Sequence, residues 1–442
     1  MKLSVNEQLK GKMILFATVP GEGHFNPLTG LAKYLQTLGC DVRWYTSAIF
    51  TGKLNKMEIQ HYPFVKALDV NGVNINDLFP ERNGLKDAIE KTNFDLINIF
   101  ANRAPEYYQD IQDIYESFPF ELMIADSMFS AIPFVKVKMS IPVIAIGIIP
   151  LAEVSEDLAP YGMALLPPAN AIERAEYAKL RDFIPNVFFK NSIDIFAAIL
   201  SHYNISNKES VYFDQLIRSA DLYLQIGSPD FEYTRSDLGD NIRFIGALLP
   251  YSSTTKQHWF DERLNQYEKI VLVTQGTVEG DVEKLLVPTL QAFKDTDTLV
   301  IATTGGNGTQ ALREKYTAEN IIIEDYIPFT DVMPFAKVYV TNGGYGGTLL
   351  SIKNKLPMVA AGVHEGKNEV CARIGYFNYG IDLKTEVPTS EAIYNAVEKV
   401  MWDESYKINV SMLAGKINNY HANELCANYA ASLLNEYVIE SM

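Results

Sequence analysis

Cysteine is nearly missing from this chain: there are three residues in 442, Cys40, Cys371 and Cys426, far apart and odd in number. That excludes a disulfide framework, and no two of them have the close spacing of a structural metal site. Positive charge is also short, with 38 lysines and arginines against 54 acidic residues and a formal net charge of −16. Reading nucleic-acid phosphates needs the opposite balance, so nucleic acid is not an expected partner. No apolar run reaches the ~18–20 residues that span a bilayer. The polar start Met1-Lys-Leu-Ser-Val-Asn-Glu-Gln-Leu-Lys10 has no signal-peptide apolar core. These absences predict a cytoplasmic protein without stable membrane association; a monomer or a homodimer is expected.

What is present is an ordinary globular composition, 48% hydrophobic, in a chain too long for one hydrophobic core. Two domains of roughly 200 residues are expected. Lys12-Met-Ile-Leu-Phe-Ala-Thr-Val19 is a continuous apolar run, as in a strand buried on both faces. Leu28 to Leu38 has helical spacing, and Asp41 to Thr46 is the next strand, which completes one βαβ unit. Further strands are predicted at 120–125 and 141–146, and a helical, aromatic-rich stretch near 155–215 ends near Leu222-Tyr-Leu-Gln225. After a Pro/Ser/Thr-rich stretch, Gly246 to Thr255, a second series follows at 270–274, 299–302, 321–323, 338–340 and 358–361. Residues 391–440 read as helices. The predicted division is 1–248 and 249–420 as two Rossmann-like parallel-sheet domains facing a cleft, with 421–442 a helix returning to the first. Ligands of such sheets bind beyond the carboxyl ends of the strands.

Two segments at predicted strand ends carry chemistry. Thr341-Asn-Gly-Gly-Tyr-Gly-Gly-Thr348 places four glycines in five positions between a strand and a helix. Backbone free of Cβ hindrance and the unpaired amides of a helix start together form an anion cradle. Gly21-Glu-Gly-His-Phe-Asn-Pro27 follows the first strand, with His24 in the turn. Imidazole is the usual general base near neutral pH. Such a base is served by a carboxylate that orients it. Asp126, at the end of the strand 122–125, is the candidate; a plain helix N-cap is its other possible role.

Gly21-x-Gly23-His24-x-Asn26-Pro27, Ala125-Asp126-Ser127 and the segment 341–348, with Pro357 and Glu365 to Arg373, together resemble a GT-B nucleotide-sugar glycosyltransferase. The resemblance is to the inverting UDP/dTDP-glycosyltransferases that act on macrolides, flavonoids and other small natural products, and it covers nearly the whole chain. It implies that His24 deprotonates an acceptor hydroxyl with Asp126 behind it. It implies that Gly343, Gly344, Gly346, Gly347 and Thr348 hold the donor diphosphate with Asn342, and that Gly23 joins the donor site. Tyr326 and Ile327 would meet the base, Thr277 the diphosphate and sugar, and Glu365 and Lys367 the sugar hydroxyls. The nucleotide sugar is then a co-substrate, with no metal or other cofactor.

Some positions depart from the family's common form. Asn342 stands where a histidine touches the diphosphate, Leu350 where a polar side chain grips the ribose, and Glu365-Gly-Lys-Asn368 where Asp-Gln meets the sugar. A nucleotide-sugar 2-epimerase on the same fold and a non-catalytic nucleotide-sugar-binding relative are the alternatives. A dinucleotide oxidoreductase rests on Gly21-x-Gly23 alone. The aromatic stretches Phe79 to Tyr108 and Tyr161 to Tyr212 are either acceptor lining or helix core.

Overall fold

The structure, a computed structural model, describes residues 4–70, 75–209, 211–252, 258–276, 279–364 and 366–440. One sheet comprises β1 (Met13–Ala17), β2 (Asp41–Thr46), β3 (Gln60–Pro63), β4 (Leu122–Asp126), β5 (Val143–Gly147), β6 (Leu222–Gln225) and β7 (Ile242–Phe244), in the order β3-β2-β1-β4-β5-β6-β7. A second comprises β8 (Lys269–Thr274), β9 (Thr298–Thr303), β10 (Ile321–Glu324), β11 (Val338–Thr341), β12 (Met358–Ala360) and β13 (Gly380–Asp382), in the order β10-β9-β8-β11-β12-β13. All pairings between these strands are parallel.

Parallel neighbours require crossovers, and the crossover helices cover both faces of each sheet. The apolar runs follow from this. β4 and β5 are buried at all five positions and β9 at all six. Along β1, Ile14 and Phe16 pack with Phe25 and Trp44 on one face, while Leu15 and Ala17 pack with Tyr107 and Met123 on the other. Four strands are absent from the sequence reading: β3, β7 and β13, which are sheet edges, and β6, an interior strand of only four residues. An edge strand has one neighbour, and Gln60-His-Tyr-Pro63 buries none of its residues fully.

In each sheet the chain reverses its direction of winding between two adjacent strands, β1 and β4 in the first and β8 and β11 in the second. Such switch points open a crevice at the carboxyl ends of the strands. The two chemical segments leave the sheets there. The connection between the sheets crosses the helix Glu22–Thr37 at Gly30, where an ideal Cβ would lie 2.2 Å from the Leu249 carbonyl oxygen. The amide of Tyr251 donates to Thr29 Oγ1 (2.8 Å) beside it. The last helix, Ala422–Glu440, meets the first half: Asn435 Nδ2 donates to Gln8 Oε1 (2.6 Å) and Tyr437 Oη to Asp221 Oδ1 (2.8 Å). Among the described residues no single helix is long and apolar enough to cross a membrane. One pair bent by 71°, Ala171–Phe188 with Lys190–His202, reaches that length and composition jointly.

Candidate active site

His24 sits in a helix, not in a turn. The helix starts at Glu22 with Gly21 as its cap, and the Gly21 carbonyl accepts from the amides of His24 (3.0 Å) and Phe25 (2.9 Å). The imidazole folds back over Gly21, where an ideal Cβ would lie 2.9 Å from His24 Cδ2. This posture brings Nδ1 to 2.9 Å from Asp126 Oδ1. Asp126 ends β4 and is fully buried. Its Oδ1 also accepts from the Met128 amide (2.8 Å) and its Oδ2 from the Val19 amide (2.8 Å). One carboxylate therefore closes a local Asx turn and orients the histidine at the same time. Two backbone amides already donate to this carboxylate, so it accepts from His24 Nδ1 as well, and Nε2 is the ring nitrogen directed away from it. The ring is 24% exposed. Asn26 turns away and donates from Nδ2 to Glu22 Oε2 (2.7 Å).

Beyond β11, Gly343 takes φ +84 and Gly344 caps the helix Tyr345–Lys353. A Cβ on Gly343 would meet Cys371 Sγ at 2.6 Å, and one on Gly347 would meet Tyr339 Oη at 2.8 Å. Gly344 and Gly346 face open space: the nearest atom to an ideal Cβ is 3.8 Å away for the first, and none lies within 4 Å for the second. Two amides of this segment are already engaged. The Gly343 amide donates to Thr341 Oγ1 (3.2 Å) and the Thr348 amide to the Gly344 carbonyl (3.0 Å). The helix start leaves those of Gly344, Tyr345, Gly346 and Gly347 ahead of its first internal bond. Thr348 is fully buried, and its Oγ1 has no hydrogen-bond partner among the described residues. Asn342 donates from Nδ2 to the Gln275 carbonyl, tying β11 to the loop after β8. Beneath the cradle, burial pushes the Cys371 thiol well up, so it stays neutral.

Tyr326 follows β10 and is 69% exposed, with its Oη donating to the Gly305 carbonyl (2.7 Å); Ile327 is buried in the core. Tyr326 thus offers a free ring face beside the glycine loop 305–308. Gly23 lies in the first turn of its helix with no atom within 4 Å of an ideal Cβ. Lys367 opens the helix Lys367–Tyr376 behind Gly366, which has φ +75. Thr277 and Glu365 lie outside the described residues. Of the aromatic stretches, Tyr107, Tyr108, Phe196 and Tyr212 are buried in core clusters, which settles those four as packing.

Sequence reasoning missed several contributors. The Val19 and Met128 amides hold Asp126. Tyr345 docks the cradle on the first half by donating from Oη to the Ile226 carbonyl (3.0 Å) and stacking on Phe231 (6.2 Å between centroids). Tyr345 lay inside the segment already singled out, but nothing local names a partner 119 positions away.

Comparison with known proteins gives the family and the fold. Residues 175–421 match the family model described as UDP-glucoronosyl and UDP-glucosyl transferase. A protein of Lentzea aerocolonigenes named 4'-demethylrebeccamycin synthase is 30% identical over 405 residues, 91% of this chain and 95% of that protein. UDP-glucosyltransferase 1 of Beauveria bassiana is 28% identical over 90% of each chain. Among solved structures, the kitacinnamycin glycotransferase superposes with a TM-score of 0.75 at 16% identity, covering 96% of this chain and all of that one. That likeness speaks for the fold, GT-B.

Proposed function

Since the chain belongs to the UDP-glucoronosyl and UDP-glucosyl transferase family and is a glycosyltransferase, we propose that it transfers a sugar, with inversion, from a UDP- or dTDP-sugar to a hydroxyl of a small lipophilic or aromatic natural product. The observation that carries the mechanism is the 2.9 Å contact between His24 Nδ1 and the buried Asp126 carboxylate. Nε2 of His24 takes the acceptor proton while the acceptor oxygen forms its bond to the anomeric carbon. The bond from that carbon to the diphosphate breaks on the opposite face, and its electron pair leaves with the diphosphate. Asp126 stabilises the imidazolium as it forms. The amides of Gly344 to Gly347 meet the negative charge that develops on the leaving group. Tyr326 stacks on the base. The names of two relatives, 4'-demethylrebeccamycin synthase and UDP-glucosyltransferase 1, support a natural-product acceptor and a UDP donor.

In this reading residues 1–248 bind the acceptor, 249–420 bind the donor and 421–442 return to the first unit. Three buried free thiols fit a reducing cytoplasm. The test is His24→Ala. Turnover on hydroxyl acceptors should fall by roughly 10²–10⁴, with UDP affinity by calorimetry within about threefold of the parent. Near-normal turnover would remove His24 from the reaction.

A further inference from the structure

A cluster of buried charge outside the dyad and the cradle joins the two halves of the molecule. Arg373, on the helix that begins with Lys367, is 2% exposed. Its Nε donates to Glu232 Oε2 (2.8 Å), in the segment between β6 and β7. Its Nη1 donates to Glu369 Oε2 (2.8 Å), one turn earlier on its own helix. Glu369 is 5% exposed, and its second oxygen points out of the donor half. Oε1 accepts from the amides of Gly162 and Ala164, both at 2.8 Å. Asn368 Nδ2 donates to the Gly162 carbonyl (2.6 Å). Residues 159–190 otherwise bury none of their side chains fully. A long surface segment on the acceptor side is thus strapped to the donor side through the Glu369 carboxylate, with Asn368 beside it.

The neighbouring groups indicate that Glu369 dominates this contact. Tyr161 Oη, Tyr233 Oη, Arg235 Nε and Glu153 Oε1 border the same small cavity, and none has a hydrogen-bond partner. Hydrogen bonds accepted by a carboxylate are the strong ones here. The far end of the connection is close to the cradle. A Cβ on Gly343 would strike the Lys367 carbonyl at 3.0 Å as well as Cys371, so the helix start and the cradle cannot shift independently. At Gly366 an ideal Cβ would sit 2.8 Å from Tyr161 Oη, so strap and donor helix are in contact there too.

We propose that Glu369 is a positioning residue: it fastens the acceptor-side strap around Gly162–Ala164 to the donor-side helix, so that nucleotide binding in the cradle orders the acceptor side. The proposal rests on the transferase reading above and adds to it the route by which one substrate site senses the other. Hydrogen–deuterium exchange of a peptide covering 159–166 tests it, with UDP and dTDP as probes. In the parent, exchange of the Gly162 and Ala164 amides is slow and slows further, by about twofold or more, when UDP or dTDP saturates the cradle. In Glu369→Ala the same amides exchange about tenfold faster and the nucleotide response is lost, while nucleotide still binds by calorimetry. Glu369→Gln keeps an oxygen for the two amides and loses the charge toward Arg373; it retains both protection and response. A purely structural role would lower the melting temperature of both variants and leave the nucleotide response intact, which overturns the proposal. Equal loss of response in both variants assigns the effect to the Arg373 ion pairs and also overturns it. Nucleotide binding to the parent without a response at 159–166 overturns the coupling alone. No binding of UDP or dTDP to the parent overturns the transferase reading itself.

Discussion

Asp126→Asn is the most informative single change, because the geometry predicts its effect on stability and on rate separately. An asparagine side chain has one acceptor oxygen where Asp126 uses two. If the oxygen keeps the Oδ1 place, it retains Met128 and His24, and the new NH2 group faces the Val19 amide. The opposite orientation sets the NH2 group against both Met128 and His24, so the first is favoured. One buried backbone donor is then left unsatisfied, at a cost of about 1–3 kcal/mol of stability. The catalytic loss comes from the missing charge. An imidazolium and a carboxylate about 4 Å apart between centres attract by about 4 kcal/mol at an effective dielectric near 20. That is roughly three decades in rate. Turnover on a phenol acceptor, followed by UDP release, should fall about 10³-fold, with UDP affinity unchanged by calorimetry. A thiophenol acceptor, already ionised at mildly alkaline pH, needs no base, and Asp126→Asn should turn it over within about tenfold of the parent. Two results refute the reasoning: a phenol rate within tenfold of the parent, or equal losses on phenol and thiophenol.

The glycines of the cradle separate by role: Gly346→Val should weaken UDP binding at least about tenfold by filling the open anion site, at an unchanged melting temperature. Gly347→Val, whose Cβ would lie 2.8 Å from Tyr339 Oη, should instead lower the melting temperature. Identical behaviour of the two valines would contradict this division. Asp214 gives a pH prediction: burial pushes its carboxyl up from 3.8 to about 6 although it accepts from the Val154 amide. A raised carboxyl destabilises the fold above that pH, and the penalty is relieved as pH falls through 6 toward 3.8. The rise from 3.8 to about 6 sets a ceiling of about 3 kcal/mol. Between pH 7.5 and 5 by urea titration, Asp214→Asn should gain less stability on acidification than the parent; equal gains would show that Asp214 does not titrate in this window.

How much of this was legible in the sequence depends on how local the determining contact is. The central strands announced themselves because burial on both faces demands unbroken apolar runs, as in Lys12 to Val19. Edge strands such as Gln60–Pro63 lack that demand and stayed hidden. The base segment was read as a turn because it contains two glycines and a proline, yet only Gly21 lies outside the helix. Pro27 is tolerated at its sixth position, where the helical bond it removes is the one to the Gly23 carbonyl. Composition could not divide the glycines either. Gly30, inside the helix, serves the crossing of Leu249. Gly343 and Gly347 read as phosphate ligands and are first of all places where neighbouring helix and strand come too close for a side chain. The contacts that join the halves, Tyr345 to Ile226 and Arg373 to Glu232, span 119 and 141 positions, and no local pattern marks them. A glycine-rich segment therefore identifies where an anion can bind. Which of its residues face the anion is decided by what packs behind them, and in this chain that is Cys371, Lys367 and Tyr339.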